Sequence, residues 1–281
     1  MLIVRTKKEL AKQLEITPPQ KTLGLVPTMG ALHKGHESLV RMAVEQNDAT
    51  VVSIFVNPTQ FDKKEDLEKY PKTLQADIAL LQKVSDEIIV FAPSAEEIYG
   101  TDIKSKAYDF DGLDQVMEGA FRDDHFNGVG TIVETLFQLV KPHRAYFGEK
   151  DFQQLQIIKK LVQIRNIPVE IVPCPIVREA NGLALSSRNE RLSPELRQKA
   201  GLIYQTLKSA KKAFGTKSVD EIKEQVKESF APYPDLQLEY IEISEAETLV
   251  PAREINGHRK YRAFIAVYAD GVRLIDNIAL N

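Results

Sequence analysis

Through about the first 175 residues, short apolar runs of strand character alternate with stretches of helical periodicity, and few folds accept that pattern. Residues 22–26 are a short apolar run that stops at Pro27. Residues 36–46 follow with a helical stripe in which Leu39, Val40, Ala43 and Val44 share a face. Residues 50–56 are rich in β-formers and end at Asn57-Pro58. A helix over 74–84 and a strand over 87–91 come next, then a helix over 129–140 stopped by Pro142. A strand over 145–147, a helix over 152–164 and a buried strand over 169–172 complete the series. Strand and helix in alternation predict βαβ units and a parallel sheet with helices on both faces.

After residue 175 the character changes. Ser193-Pro194-Glu195 is a helix start: a capping serine, proline at the first position, then an acid. Helices are expected over 194–213 and 219–230, and strands over 238–243, 261–268 and 272–276. Helices followed by strands read as a smaller α+β domain. The boundary falls just past Pro173 and Pro175, which divides the chain into residues 1–176 and 177–281. No internal repeat or low-complexity tract is evident.

Composition narrows the class. Cys174 is the single cysteine, so an internal disulfide and a cysteine-cluster zinc site are excluded. It stands between two prolines with no basic or histidine neighbour, which favours a structural role over a nucleophile. Lys+Arg 37 against Asp+Glu 40 gives a net charge of -3, with no basic excess to hold nucleic acid or an anionic membrane. Residues 1–5 turn polar too soon for a signal peptide, and the longest strongly apolar run, 49–56, is far short of a membrane span. The expectation is a soluble cytoplasmic protein.

Four segments carry chemistry. The first is Pro27-Thr28-Met29-Gly30-Ala31-Leu32-His33-Lys34-Gly35-His36, between a strand end and a helix start. Ligands of open parallel sheets bind outside the carboxyl ends of the strands. Gly30 and Gly35 let the backbone approach a ligand, and the helix start after Gly35 is a natural anion site. His33 and His36 are three apart and can address one ligand. The glycine spacing mimics a P-loop, but His36-Glu37 replaces the required Lys-Ser/Thr, so that reading fails. A metal site lacks a third ligand at recognisable spacing. Two loop histidines engaged only in caps and turns remain an alternative.

The second is Phe55-Val56-Asn57-Pro58-Thr59-Gln60-Phe61, where Gln60 offers both a donor and an acceptor in apolar surroundings. A plain turn with a surface amide is its alternative. The third is Gly148-Glu149-Lys150-Asp151-Phe152-Gln153-Gln154. Lys150 suits a phosphate and Asp151 a ribose hydroxyl or a magnesium-associated water, yet Asp151 and Gln154 also have the spacing of a capping box. The fourth is Gly182-Leu183-Ala184-Leu185-Ser186-Ser187-Arg188-Asn189, with hydroxyls and a guanidinium fork for phosphate oxygens. A polar turn ahead of Ser193-Pro194 is the plainer account, and a phosphate loop there would clamp nucleotide between the domains.

Taken in order along the chain, these segments resemble the pantoate–β-alanine ligase family, within the nucleotidyltransferases that carry His-x-Gly-His. Pro27 to His33 with Gly35-His36, Phe55 to Phe61, Tyr70-Pro71, His125-Phe126-Asn127-Gly128-Val129, Tyr146 to Asp151 and Ser186-Ser187-Arg188-Asn189 all follow the family's order. The resemblance continues to Leu274-Ile275-Asp276-Asn277. It implies a Rossmann-like nucleotidyltransferase domain, a smaller C-terminal lid and a homodimer. It implies condensation of pantoate with β-alanine through a pantoyl adenylate, with magnesium accompanying ATP and with AMP and pyrophosphate released. By position, Met29, Gly30, Ala31, Leu32, His33, Lys34, Gly35 and His36 line the ATP site. Gly148, Glu149, Lys150 and Asp151 join them, as do Val177 by its backbone and Leu185, Ser186, Ser187 and Arg188. Gln60 and Gln154 hold pantoate, Gln60 also meets β-alanine, and His36 takes the family's proton-donor role.

Elementary chemistry agrees with that list. A carboxylate is already a nucleophile, so the first step needs positioning and stabilisation of phosphoryl charge rather than a base. His33, His36, Lys150 and Arg188 are the candidate cations, and losing one such group typically costs ~10²–10³ in rate. A labile adenylate favours a closing lid that carries Ser186 to Arg188. No residue stands out as a base for the β-alanine amine. Two positions depart from the family. Leu185 replaces a methionine, a volume-conserving change. Asp123-Asp124 replaces Pro-Gly after Arg122, and these two acids either oppose an anionic substrate or face solvent. Three rivals remain: a nucleotidyltransferase of the same superfamily acting on another small acid, an RNA-binding relative of the fold, and a nucleotide-binding scaffold without activity. The charge balance disfavours the second, and retention of His33, His36, Lys150 and Arg188 disfavours the third.

Overall fold

The computed structural model describes residues 1–281 apart from residues 17, 19, 62, 63 and 123. They form two compact units: Met1–Glu149 with Gln153–Pro175, and Lys150–Phe152 with Ile176–Asn281.

The first unit contains six strands: β1 (Leu2–Val4), β2 (Leu23–Thr28), β3 (Ala49–Ile54), β4 (Ile89–Phe91), β5 (Arg144–Gly148) and β6 (Glu170–Cys174). They form one sheet in the order β1-β4-β3-β2-β5-β6, and every pairing is parallel. Helices α1 (Lys7–Ile16), α2 (Lys34–Gln46), α3 (Lys64–Lys69), α4 (Leu74–Gln82), α5 (Ala95–Tyr99), α6 (Met117–Ala120), α7 (His125–Val140) and α8 (Phe152–Arg165) lie between strands in the chain. Val26, Val52, Val90 and Tyr146 join Val40 and Ala43 of α2 and Leu81 of α4 in one buried cluster. Leu25, Val51, Ile89 and Ala145, which point the opposite way from the same strands, are equally buried. The sheet is therefore covered on both faces, which is why its strands read as continuous apolar runs.

Strand order reverses between β2 and β5. From β2 the chain steps outward through β3 and β4, then returns to the other side at β5. That switch point opens a crevice at the carboxyl ends of β2 and β5, where Met29 and Gly148 stand. β1 and α1 go beyond the sequence expectation; β1 is three residues long with only Val4 buried, too little to show a period. Helix α7 starts at His125, four residues before the expected position. Its glycines hid that turn, and packing requires them: a Cβ on Gly128 would lie 2.3 Å from the Thr59 carbonyl oxygen.

The second unit holds α9 (Pro194–Lys199), α10 (Leu202–Ala213), α11 (Val219–Phe230) and the strands β7 (Leu236–Glu245), β8 (Tyr261–Ala269) and β9 (Val272–Ala279). The strands form an antiparallel sheet in sequence order, with α10 and α11 packed on it. The single helix expected over 194–213 is two helices. Asn181 Nδ2 donates to the carbonyls of Arg197 and Gln198, which ends α9. Gly201 follows because a Cβ there would meet the Asn181 carbonyl oxygen at 2.7 Å. Ser193 caps α9 as expected, its side chain accepting from Leu196 N–H.

Candidate active site

The loop between β2 and α2 is built around a carboxylate that its own sequence does not contain. Thr28 closes the strand, its hydroxyl donating to the Ser53 carbonyl at 2.7 Å. Gly30 and Ala31 then both adopt positive φ, 81° and 49°. An alanine is held in the left-handed region only when its surroundings insist on it. Asp77 of α4 does so: it accepts the Ala31 N–H at 3.2 Å and the Leu32 N–H at 2.7 Å. Asp77 is buried, and the Thr73 hydroxyl also donates to it. Gly30 is tight as well as turned, since a Cβ would stand 3.0 Å from Asp77 Oδ2.

The helix that follows starts at Lys34, ahead of Gly35 rather than after it. His33 is the N-cap of α2, so Lys34 and Gly35 are already helical. The cap is a reciprocal pair of imidazoles. His33 Nδ1 accepts from Gly35 N–H at 3.1 Å, and His36 Nδ1 accepts from His33 N–H at 3.3 Å. The ring centroids are 4.1 Å apart. Each Nδ1 uses its lone pair, so each ring carries its proton on Nε2. In this arrangement Nδ1 of each ring serves the cap, which leaves Nε2 as the nitrogen that can present a donor proton. The capping alternative and the ligand reading are not rivals: one nitrogen caps and the other remains a donor group.

Gln60 is buried at the end of the short turn after β3. Its Nε2 donates to Met29 Sδ at 2.9 Å, and its Oε1 accepts from Asn57 Nδ2 at 3.1 Å. Its main-chain carbonyl meets His125 Nδ1 at 2.8 Å and accepts from Arg122 at 3.1 Å. Asn57 also donates to the Gly128 carbonyl and accepts from the Tyr99 hydroxyl at 2.6 Å. Burial pushes the Tyr99 hydroxyl up from its ordinary value, which keeps it a donor. The plain surface-turn alternative for Gln60 is therefore excluded. His125-Phe126-Asn127-Gly128 acts as its support: His125 and the close-packed Gly128 back the turn that presents Gln60. Sequence spacing could not reveal that pairing, because it joins residues 65 apart.

The two glutamines at the start of α8 have different employments. Gln153 is buried, accepts the Glu118 N–H and donates to the carbonyls of Leu113 and Val116. Gln154 is half-buried. Asp151 is exposed and closes a 3-10 turn, Glu149–Asp151, that runs straight into α8. Asp151 thus stands within a helical turn, where the usual N-cap has extended backbone. Gly148 ends β5 beside β6, and Glu149 is half-buried after it. Asp124 is exposed and accepts from Asn127 Nδ2 at the start of α7. Asp123 lies outside the described residues. Cys174 is buried against Met42, and burial pushes its thiol up to about 11, as befits a structural thiol.

The second unit carries its own polar segments. The Val177 carbonyl accepts from Leu185 N–H at 3.0 Å, so its backbone oxygen is engaged. Arg178 and Ala184 bridge antiparallel, which makes a small hairpin that ends at Leu185. Ser186 then caps a 3-10 turn, its hydroxyl accepting from Arg188 N–H at 3.2 Å. Ser187 is half-buried and Arg188 is exposed. Asn189 is fully buried and pins the turn, donating to Glu179 and to the Ala184 carbonyl. Lys150, Ser186, Arg188 and Arg273 line one small cleft of this unit. Lys150 Nζ lies 3.4 Å from Asp151 Oδ1, a weak tether for a cation.

The sequence model of the pantoate-beta-alanine ligase family matches residues 2–279. A pantothenate synthetase of Christiangramia forsetii is 54% identical over 282 residues, with all of both chains covered. One of Thermotoga petrophila is 45% identical, again with both chains fully covered. The solved pantothenate synthetase of Thermus thermophilus superposes with a TM-score of 0.91 at 41% identity, covering 100% of this chain and 99% of that one. The pantoate-beta-alanine ligase of Francisella tularensis, solved with beta-gamma ATP and beta-alanine, gives a TM-score of 0.81 at 34% identity, covering 100% and 98%.

Proposed function

The chain belongs to the pantoate–β-alanine ligase family, and from that premise we propose that it joins pantoate to β-alanine at the expense of ATP. The pantoate carboxylate attacks the α-phosphorus, giving pantoyl adenylate and pyrophosphate. The β-alanine amine then attacks the acyl carbon, and AMP leaves with the carboxylate oxygen. The observation that carries this reading is a family match along nearly the whole chain. The imidazole pair at the carboxyl end of β2 accords with it.

Met29 to His36, Gly148 to Asp151, Val177 and Leu185 to Arg188 take the ATP. His33 and His36 offer Nε2–H donors to phosphate oxygens, aided by the dipole of α2. Through that N–H His36 gives the leaving pyrophosphate a hydrogen bond; the proton-donor role requires the imidazolium, with Nδ1 protonated and released from the cap. Lys150 and Arg188 carry the full positive charges that phosphoryl transfer needs. Gln60 and Gln154 hold pantoate, and Gln60 reaches β-alanine. Among the described residues no three His, Cys, Asp or Glu side chains gather as a metal site. Magnesium accompanies ATP, carried on its phosphates.

Residues 1–176 have the nucleotidyltransferase role, and 177–281 serve as the lid that keeps water from the adenylate. The family likeness also supports a homodimer and a cytoplasmic site of action. No helix among the described residues is long and apolar enough to cross a membrane. The test is omission of each of ATP, magnesium, pantoate and β-alanine in turn. AMP is expected only with the complete set, whereas pantoate alone suffices for exchange of labelled pyrophosphate into ATP. Net pyrophosphate release without β-alanine and without AMP would favour a nucleotidyltransferase that stops at its adenylated product. No AMP from folded protein with the complete set would overturn the substrate assignment.

A further inference from the structure

Asp276 and Asn277 belong to the second unit, next to one another on β9, and the reaction just described gives neither a task. Both are buried, 4% and 2% exposed. Neighbours on a strand leave opposite faces of the sheet, and each of these side chains holds a different polar segment. Asn277 Nδ2 donates to the Lys150 carbonyl at 2.8 Å. Asn277 Oδ1 accepts from Arg262, whose guanidinium lies 3.9 Å over the Phe152 ring. Phe152 in turn packs on Phe264, the register partner of Asn277 on β8. The turn that carries Lys150 is thus gripped at its main chain and at its second following residue.

Asp276 takes both arms of Arg178, at 2.5 and 3.0 Å. Arg178 also donates to the Gly182 carbonyl at 3.1 Å and lies 3.7 Å from the centre of the Tyr204 ring. Gly182 has φ 96°, and a Cβ there would meet Tyr204 at 2.8 Å. Arg178 bridges Ala184, two residues before Ser186. The Asp276 carboxylate thereby sets the hairpin that leads into Ser186-Ser187-Arg188. Fork-on-carboxylate geometry fixes orientation as well as distance, which a lone charge does not.

We propose that Asp276 and Asn277 are a positioning pair: Asn277 holds the turn of Lys150 and Asp276 the hairpin that leads into Leu185–Arg188, so that both segments border one cleft of this unit. Neither touches substrate. The inference rests on the assignment of Lys150 and Arg188 to ATP.

Asn277→Asp tests it, because the carboxylate matches the amide in size but has no N–H for the Lys150 carbonyl. Full-length N277D, Lys150→Ala and the double variant are compared by pantoate-dependent pyrophosphate exchange, with kcat and KM for ATP and for pantoate. K150A is expected to lose about 10²–10³ in kcat. N277D is expected to lose about tenfold in kcat, with pantoate KM held within about twofold, and to lose less than about twofold further in the K150A background. Should N277D prove poorly folded by its thermal midpoint, Asn277→Ser, which is smaller and uncharged, replaces it. A folded Asn277 variant as active as the parent, beside an impaired K150A, overturns the inference and leaves the ATP site standing. Equal losses from N277D in both backgrounds overturn it as well. Parental activity in K150A removes the site assignment itself. Asp276→Asn is read the same way against Arg188→Ala.

Discussion

Asp77 shows how much one buried side chain can decide. Its two oxygens take the N–H groups that Ala31 and Leu32 expose as the chain turns through two left-handed residues. Asparagine at 77 keeps one acceptor oxygen and turns an N–H₂ toward a donor that needs an acceptor. Asp77→Asn is expected to lower kcat/KM for ATP by about tenfold or more, since small misplacements of binding groups are costly in catalysis. Steady-state kinetics with circular dichroism as a fold control would check this. Cys174 makes the opposite case, a reactive group kept idle. Its thiol is buried and pushed up to about 11. An aromatic disulfide reagent at pH 8 should label no thiol in the native chain and one after denaturation; fast native labelling would contradict the packing. Asp77 was not legible in the sequence, because it occupies a helical position with nothing nearby to mark it. The place of His33 and His36 between a strand end and a helix start was legible, but not which ring nitrogen is taken, because only the cap geometry decides that.

At the scale of elements, α7 does two jobs, and each can be broken separately. Its first turns back the Gln60 loop through Gly128 and His125. A methyl at 128 would enter the Thr59 carbonyl, so Gly128→Ala must shift that turn. Overpacking of this kind costs about 1–3 kcal/mol. The expected kinetic signature is a KM for pantoate raised about tenfold with KM for ATP little changed, read by initial rates. Further along, Glu134 is buried on α7 and accepts from Lys106, Tyr108 and Arg165. Burial pushes its carboxyl up, but the Lys106 and Tyr108 hydrogen bonds with the nearby charges win and hold it below the usual 4.5. A folded-state value below the unfolded one stabilises the fold above the unfolded value and ceases to do so as pH falls through the folded one. Glu134→Gln should therefore unfold more easily at pH 7, by about 2 kcal/mol for lost charge-assisted bonds. The gap should narrow below pH 4.5. Urea titrations across that range would show it, and a gap independent of pH would refute it. The late start expected for α7 has a physical cause. Glycines at 128 and 130 lower helical propensity, yet close approach of a neighbour demands them, and a single sequence displays the propensity without the neighbour.

For the molecule as a whole, the alternation of apolar strands with amphipathic helices determined the class of the first unit. Strands buried on both faces must be apolar throughout, and parallel neighbours need a crossover helix, so the pattern admits little else. The run of helices then strands after residue 175 likewise determined an α+β second unit. The placing of the polar segments at strand ends and turns was legible too, because turn signals and the ends of apolar runs are local in sequence. What only the tertiary structure decided is which distant groups hold those segments. Asp77 belongs to the β2–α2 loop from 45 residues away, and His125 to Gln60 from 65. Asn277 holds Lys150 from 127 residues away, which is why Lys150–Phe152 groups with the second unit although it follows β5 in the chain. Hydrophobic periodicity is a property of neighbours in sequence. A buried hydrogen bond is a property of neighbours in space, and its partner is chosen only when the sheet is assembled.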